Sequence, residues 1–292
     1  MTRSRIAFAV ALATVASAGC ANIKTANVVA GVITAAQGLS ISDAQEQQIG
    51  AETKLKVLAE MPEYPNPTVQ AYVTQVGQKM AVQAQADRKG QVYEFHIVQN
   101  PEINAFATPG GFVFVTTGAL KLMTNEAQLA GVLGHEVGHV ANRHSVRGMQ
   151  ETLLAQGVSI AVLGQDASQL VQQGANVAFN LLLKGFDRGK EEEADRFGAK
   201  YSFNAGYDCR ELGNFLAALA AATGETPAWL VPVADHPRSD DRIKELTAYI
   251  AQQKYATDGK LLNADAFQGS VTANLTAGST TLPVVSPTPA AR

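Results

Sequence analysis

Two histidines, His135 and His139, stand four residues apart with Glu136 directly after the first. Residues four apart share one helix face, so both imidazoles can give a ring nitrogen to a single metal ion at ~2.0–2.1 Å. Glu136 lies about 100° round the helix from His135. A carboxylate there can reach the metal's open position without binding the ion, which suits it to take a proton from an activated water. H-E-x-x-H also arises by chance. Here Leu129, Val132, Leu133, Val137 and Val140 surround it, and two histidines in so apolar a helix need a polar reason to be there.

A catalytic zinc site needs a third protein donor and keeps one position open. Asn142 and Ser145 stand where one large protease group carries glycine and histidine, so that group is excluded. His144 follows His139 by five residues; on a continuing helix it points about 140° away and reads as a capping or surface histidine. The better source is the acidic run Glu191-Glu192-Glu193-Ala194-Asp195. Glu191 and Asp195 share a face, so one can supply a ligand while the other holds a metal-bound imidazole by its second nitrogen. Glu192 and Arg196 share another face and read as an ion pair.

The elements that must position these groups belong to one domain. The chain has 292 residues, 46% of them hydrophobic, which is ample for a core. Its net charge is −3, or −5 without Arg3 and Arg5, and nothing marks a nucleic-acid binder. Residues 1–19 form an export signal: Arg3 and Arg5, an apolar run over 6–18, then small residues before Cys20. The cysteine after Ala18-Gly19 resembles a bacterial lipobox, which makes Cys20 the expected lipidation site. Ala21 after it points to the inner face of the outer membrane. Cys209 is the only other cysteine and is expected as a small buried hydrophobe. A small-residue linker over 20–40 leads to the domain, 41–256, and a low-complexity tail rich in Thr, Ser, Ala and Pro covers 257–292.

Within the domain, Ser42 and Asp43 open a helix to about residue 60, and three prolines separate it from a second over 68–85. Residues 91–99 alternate as a strand, and 103–108 and 112–116 form a strand pair about Pro109-Gly110-Gly111. From 126 to about 255 helix dominates, with turns near Gly164, Gly189, Gly206 and Pro232. The apolar runs 157–164 and 177–183 are too short or too interrupted to span a membrane.

Three motifs now stand in order: N-A-F-A-T-P-G-G at 104–111, H-E-V-G-H at 135–139 and E-E-E-A-D-R at 191–196. Together they resemble the zinc metallopeptidase family that contains the HtpX heat-shock protease and the CAAX prenyl protease, and within it a soluble periplasmic branch with lipoproteins similar to LoiP. The resemblance covers roughly 42–250. It implies a zincin-like α+β domain, mainly helical, with a small sheet whose edge strand lines the cleft. It also implies one Zn2+ per chain on His135, His139 and Glu191, with Glu136 as catalytic acid/base and Asp195 as the carboxylate behind a ligand. Arg188 falls where the family carries arginine. Asn104, Ala105, Phe106 and Ala107 would bind unfolded peptide through backbone bonds, in the manner of strand addition.

His236, before Pro237 and six residues ahead of Arg242, resembles the H-P-x-x-x-x-R segment of this branch. It is expected on a loop, as an oxyanion donor, as a blocking zinc ligand, or as a helix-entry residue packed on Trp229 or bonded to Asp235. The expected function is an envelope endopeptidase acting on misfolded or misassembled proteins. A chaperone that keeps the fold and only holds clients is the rival, and the intact Glu136 argues against it.

Overall fold

The first two helices begin where local chemistry starts them. Ser42 caps α1 (Asp43–Glu60) in a reciprocal box with Gln45. Asn66 Oδ1 accepts from the backbone of Thr68 and Val69 to cap α2 (Pro67–Ala84), whose first residue is a proline that has no N–H to leave unpaired. The computed structural model describes residues 40–155, 167–223 and 239–277.

Three strands follow: β1 (Glu94–Val98), β2 (Ala105–Ala107) and β3 (Phe112–Thr116), in the order β1-β3-β2. β3 is parallel to β1 and antiparallel to β2. The β2–β3 hairpin turns at Pro109–Gly111, where Gly111 takes φ 99° and a Cβ would lie 2.1 Å from the Val92 carbonyl oxygen, so only glycine fits. β2 is an edge strand. Thr116 N–H donates to Asn104 O at 3.0 Å and Thr108 N–H to Phe112 O at 2.9 Å, so the backbone of 104, 106 and 108 faces β3. By the same alternation the N–H and C=O of Ala105 and Ala107 point to the open edge.

The remaining elements are helical: α3 (Thr117–Leu122), α4 (Glu126–Ala141), α5 (His144–Ala155), α6 (Ala167–Lys184), α7 (Arg188–Asn204), α8 (Glu211–Thr223) and α9 (Ser239–Gln252). The architecture is the expected α+β, mainly helical. Every residue of α4 from Glu126 to Val140 is buried, its polar groups included. It packs against α2, α7, α8 and β2. The contact with α7 is backbone to backbone: a Cβ on Gly198 would sit 3.0 Å from Gly131 O and 3.1 Å from His135 N. That approach brings side chains of two helices into one site.

Two expectations need correction. The tail assigned to 257–292 is folded as far as residue 277. Asp208 and Gly206 exchange backbone bonds with Leu261 at 3.2 and 3.1 Å, after which come α10 (Ala264–Phe267), a π turn (Gln268–Thr272) and α11 (Ala273–Ala277). Phe267, Val271 and Leu275, four residues apart, are buried in the main core, and Tyr64 Oη donates to Asn274 O at 2.9 Å. The Ala/Thr/Ser composition conceals this helical stripe. The turn expected near Gly189 lies earlier: Gly185 takes φ 77°, Asp187 caps α7 and Gly189 is already helical.

Residues 177–183 belong to α6, which buries one face, including Leu170, Ala175 and Ala178. No helix among the described residues is long and apolar enough to cross a membrane. Cys209 is buried, and burial pushes its thiol up to about 11. The signal, Cys20, the linker, the run 157–164, the turns near Gly164 and Pro232, and His236 lie outside the described residues.

Candidate active site

The middle of α4 meets the first turns of α7 at the floor of a cleft of about 850 Å³, counting its open mouth. Residues 104–107 border the cleft, Leu182 and Phe186 line it before α7, and α8 contributes Leu212, Phe215 and Leu216. His135 and His139 project from one face of α4 with their Nε2 atoms 3.0 Å apart. Glu191, in the first turn of α7, brings Oε2 to 3.6 Å from His135 Nε2 and Oε1 to 3.5 Å from His139 Nε2. Among the described residues these three form the one cluster able to hold a metal ion, with donor atoms all within 4.8 Å of one another.

Asp195, one turn after Glu191, stands behind His135, with Oδ1 2.9 Å from Nδ1 in a bent approach. Arg242 of α9 closes the arrangement. It donates to both Asp195 oxygens, Nε at 2.9 Å and Nη2 at 2.7 Å, while Nη1 lies 3.1 Å from Glu191 Oε2. In the sequence Arg242 stands out only as the end of the H-P-x-x-x-x-R segment. Its buried fork, 4% exposed, fixes both carboxylates of α7 at once.

His144 overturns its expected surface role. α4 stops at Ala141, Arg143 takes the left-handed φ of 55°, and α5 restarts at His144. The assumption of a continuing helix therefore fails, and the reversal swings His144 back behind His139. It is fully buried, with Nδ1 2.9 Å from His139 Nδ1 and Nε2 3.0 Å from Glu193 Oε2. Phe186, which no sequence signal singled out, stacks on His139 at 4.4 Å between ring centres. Arg188 faces outward and pairs with Glu192 at 2.7 Å; the expected Glu192–Arg196 pair is looser, at 4.0 Å.

Electrostatically the site seeks positive charge. Burial disfavours a charged His135, but Asp195, Glu191 and Glu136 outweigh it and raise its pKa. Burial and the neighbouring His135 hold His139 well below the ordinary histidine value, and burial also lowers His144 despite Glu193. Asp195, despite its burial, is kept ionised by Arg242 and His135. Glu136 lines the cleft, and burial raises its pKa to about 7. Two Nε2 atoms and a carboxylate converge here, and an acceptor stands behind each histidine: this donor set fits a divalent metal that prefers mixed nitrogen and oxygen ligands.

The pattern of peptidase family M48 matches residues 67–250. The chain belongs to this family. The M48 match runs from the first residue of α2 into α9 and so contains every site element described above. Similar proteins include the "Beta-barrel assembly-enhancing protease" of Yersinia pestis, 30% identical over 226 residues, which are 74% of this chain and 46% of that one. The "Mitochondrial metalloendopeptidase OMA1" of Schizosaccharomyces pombe is 31% identical over 215 residues, 71% of this chain and 61% of that one. "Metalloprotease YcaL" of Escherichia coli K12 is 27% identical over 263 residues, 87% of this chain and its own full length. The chain thus spans less than half the length of the Yersinia relative.

Proposed function

We propose that the protein is a zinc-dependent endopeptidase of the bacterial cell envelope, acting on unfolded or misassembled polypeptides. The observation that carries the reading is Glu136: its carboxylate is buried beside the donor cluster, faces the cleft and accepts no hydrogen bond among the described residues, and burial raises its pKa to about 7. A pKa near neutrality suits a general base that must take up a proton and release it again.

One Zn2+ per chain, held by His135, His139 and Glu191, would polarise the scissile carbonyl and acidify water when bound. Substrate backbone would pair with the outward N–H and C=O groups of Ala105 and Ala107, adding a strand to the β2 edge. Glu136 would take a proton from the attacking water as the carbon–oxygen bond forms, and pass it to the leaving amine as the carbon–nitrogen bond breaks. Asp195 and Arg242 would keep His135 and Glu191 in register throughout. Backbone pairing ignores side-chain identity, which supports a broad range of extended substrates over one fixed sequence.

The envelope setting rests on the export signal with its lipobox-like Cys20 and on relatives named for work at β-barrel assembly. The lipid on Cys20 would be the membrane contact, and Cys20→Ser should leave the membrane fraction or remain unprocessed. The activity itself is tested by incubating the full-length protein with a chemically unfolded polypeptide. Cleavage should occur with zinc, stop with a chelator and return on adding zinc back. Protection of the polypeptide from aggregation without any cleavage would instead favour a holding chaperone.

A further inference from the structure

His144 and Glu193 form a hydrogen-bonded line that ends on a metal-ligand candidate, and its polarity can be worked out atom by atom. A carboxylate only accepts hydrogen bonds. His144 Nε2, 3.0 Å from Glu193 Oε2, must therefore carry the proton. In a neutral ring that leaves a lone pair on His144 Nδ1. His139 Nδ1, 2.9 Å away, is then the donor, so the lone pair of His139 lies on Nε2. That is the atom 3.0 Å from His135 Nε2 and 3.5 Å from Glu191 Oε1, where a metal ligand must offer its electrons. Phe186 lies against both rings, at 4.4 Å from His139 and 5.9 Å from His144, and limits their rotation.

We propose that His144 and Glu193 are positioning residues that set the tautomer and ring plane of His139 for metal binding, an inference that rests on the metal-site reading above. His135 has its carboxylate, Asp195, directly behind it. His139 has its carboxylate one imidazole further back. The two ligands are thus oriented by unlike devices, and the longer one exists only because the chain reverses at Arg143.

The test is Zn2+ affinity of the full-length protein, measured by competition with a chromophoric chelator and with no substrate present. His144→Leu fills the space but offers no acceptor, and should weaken zinc binding ~10–100-fold. His144→Asn returns an oxygen where Nδ1 stood and should recover most of that loss. Ring 15N spectra of the wild type should report His144 as the Nε2–H tautomer. Wild-type affinity in His144→Leu, equal weakening in the Leu and Asn variants, or the opposite tautomer would each overturn the proposal. If His144→Leu does not fold, Glu193→Ala serves, since that carboxylate is 40% exposed; its zinc affinity should fall by less, about 10-fold at the lower end of that range, and an unchanged value would sink the idea. A wild-type chain without zinc affinity would fail the metal-site reading itself, a result distinct from all of these.

Discussion

Helix α4 carries two buried glutamates that live under opposite rules. Glu126 in its first turn is 5% exposed and Glu136, ten residues on, is 7% exposed. Glu126 accepts from the hydroxyls of Tyr72 and Tyr207 and from Lys79 Nζ at 3.1 Å. Burial pushes its pKa up, but those donors outweigh it and the net shift is downward. Glu136 has no such donors among the described residues: burial and Glu191 raise it, His135 and Arg242 only partly offset them, and it stands at about 7. Equal burial therefore says nothing about ionisation; the partners decide. The satisfied carboxylate ties α2 and the Tyr207 segment to α4, whereas the other, facing the cleft and without a donor among the described residues, is left able to exchange a proton.

The contrast breaks most sharply under substitution. Glu136→Gln should lower peptide cleavage by ~10³–10⁴-fold while zinc content and melting temperature stay near wild type, because only the base is lost. Near-native cleavage by that variant would remove Glu136 from the mechanism. Glu126→Ala should do the reverse. It takes the acceptor from the Tyr72 hydroxyl, while Lys79 Nζ and Tyr207 Oη keep each other at 2.7 Å; the cost should be about 2 kcal/mol, or a melting temperature lower by roughly 6 °C, with little change in turnover per folded molecule. Acid sharpens the same point. Since the folded pKa of Glu126 is depressed, its contribution is present above the ordinary carboxylate value of about 4.5 and is lost as pH falls through the lower folded value. Thermal scans as pH falls from about 4.5 through the lower folded value should find the wild type losing stability more steeply than Glu126→Gln; parallel curves across that window would count against the assignment.

Much of this was legible in the sequence where the signal is local. The cap at Ser42, the proline break before α2, the hairpin about Gly110 and Gly111, and the paired spacings of His135 with His139 and Glu191 with Asp195 all follow from turn chemistry and helix periodicity. What escaped depends on chain reversals and long-range contacts. His144 escapes helix periodicity because Arg143, not a glycine, takes positive φ and ends the rotation of α4. Arg242 reaches its carboxylates from a helix 47 residues beyond Asp195, a distance no periodicity covers. The parallel pairing of β1 with β3 depends on tertiary packing. The folded segment through residue 277 did carry a signal, in the four-residue spacing of Phe267, Val271 and Leu275, but bulk composition outweighed it.

The distinction between satisfied and open groups recurs in the sheet, and there it predicts a smaller effect. β3 is paired on both sides, while β2 is paired only through 104, 106 and 108. Ala105 sits between them opposite Val115, half-buried on the cleft border, with its N–H directed to the open edge. Proline is tolerated on a strand edge where no ladder bond is lost, so Ala105→Pro should fold and bind zinc as the wild type does. It removes one donor to the substrate backbone. A hydrogen bond of this kind is worth about 1–1.5 kcal/mol, or roughly tenfold in kcat/KM. Because the bond would form before the chemical step and persist through it, the loss should appear as a raised KM with kcat little changed. A collapse of kcat would mean that Ala105 acts in the chemical step, and an unchanged KM would mean that peptide does not add to this edge.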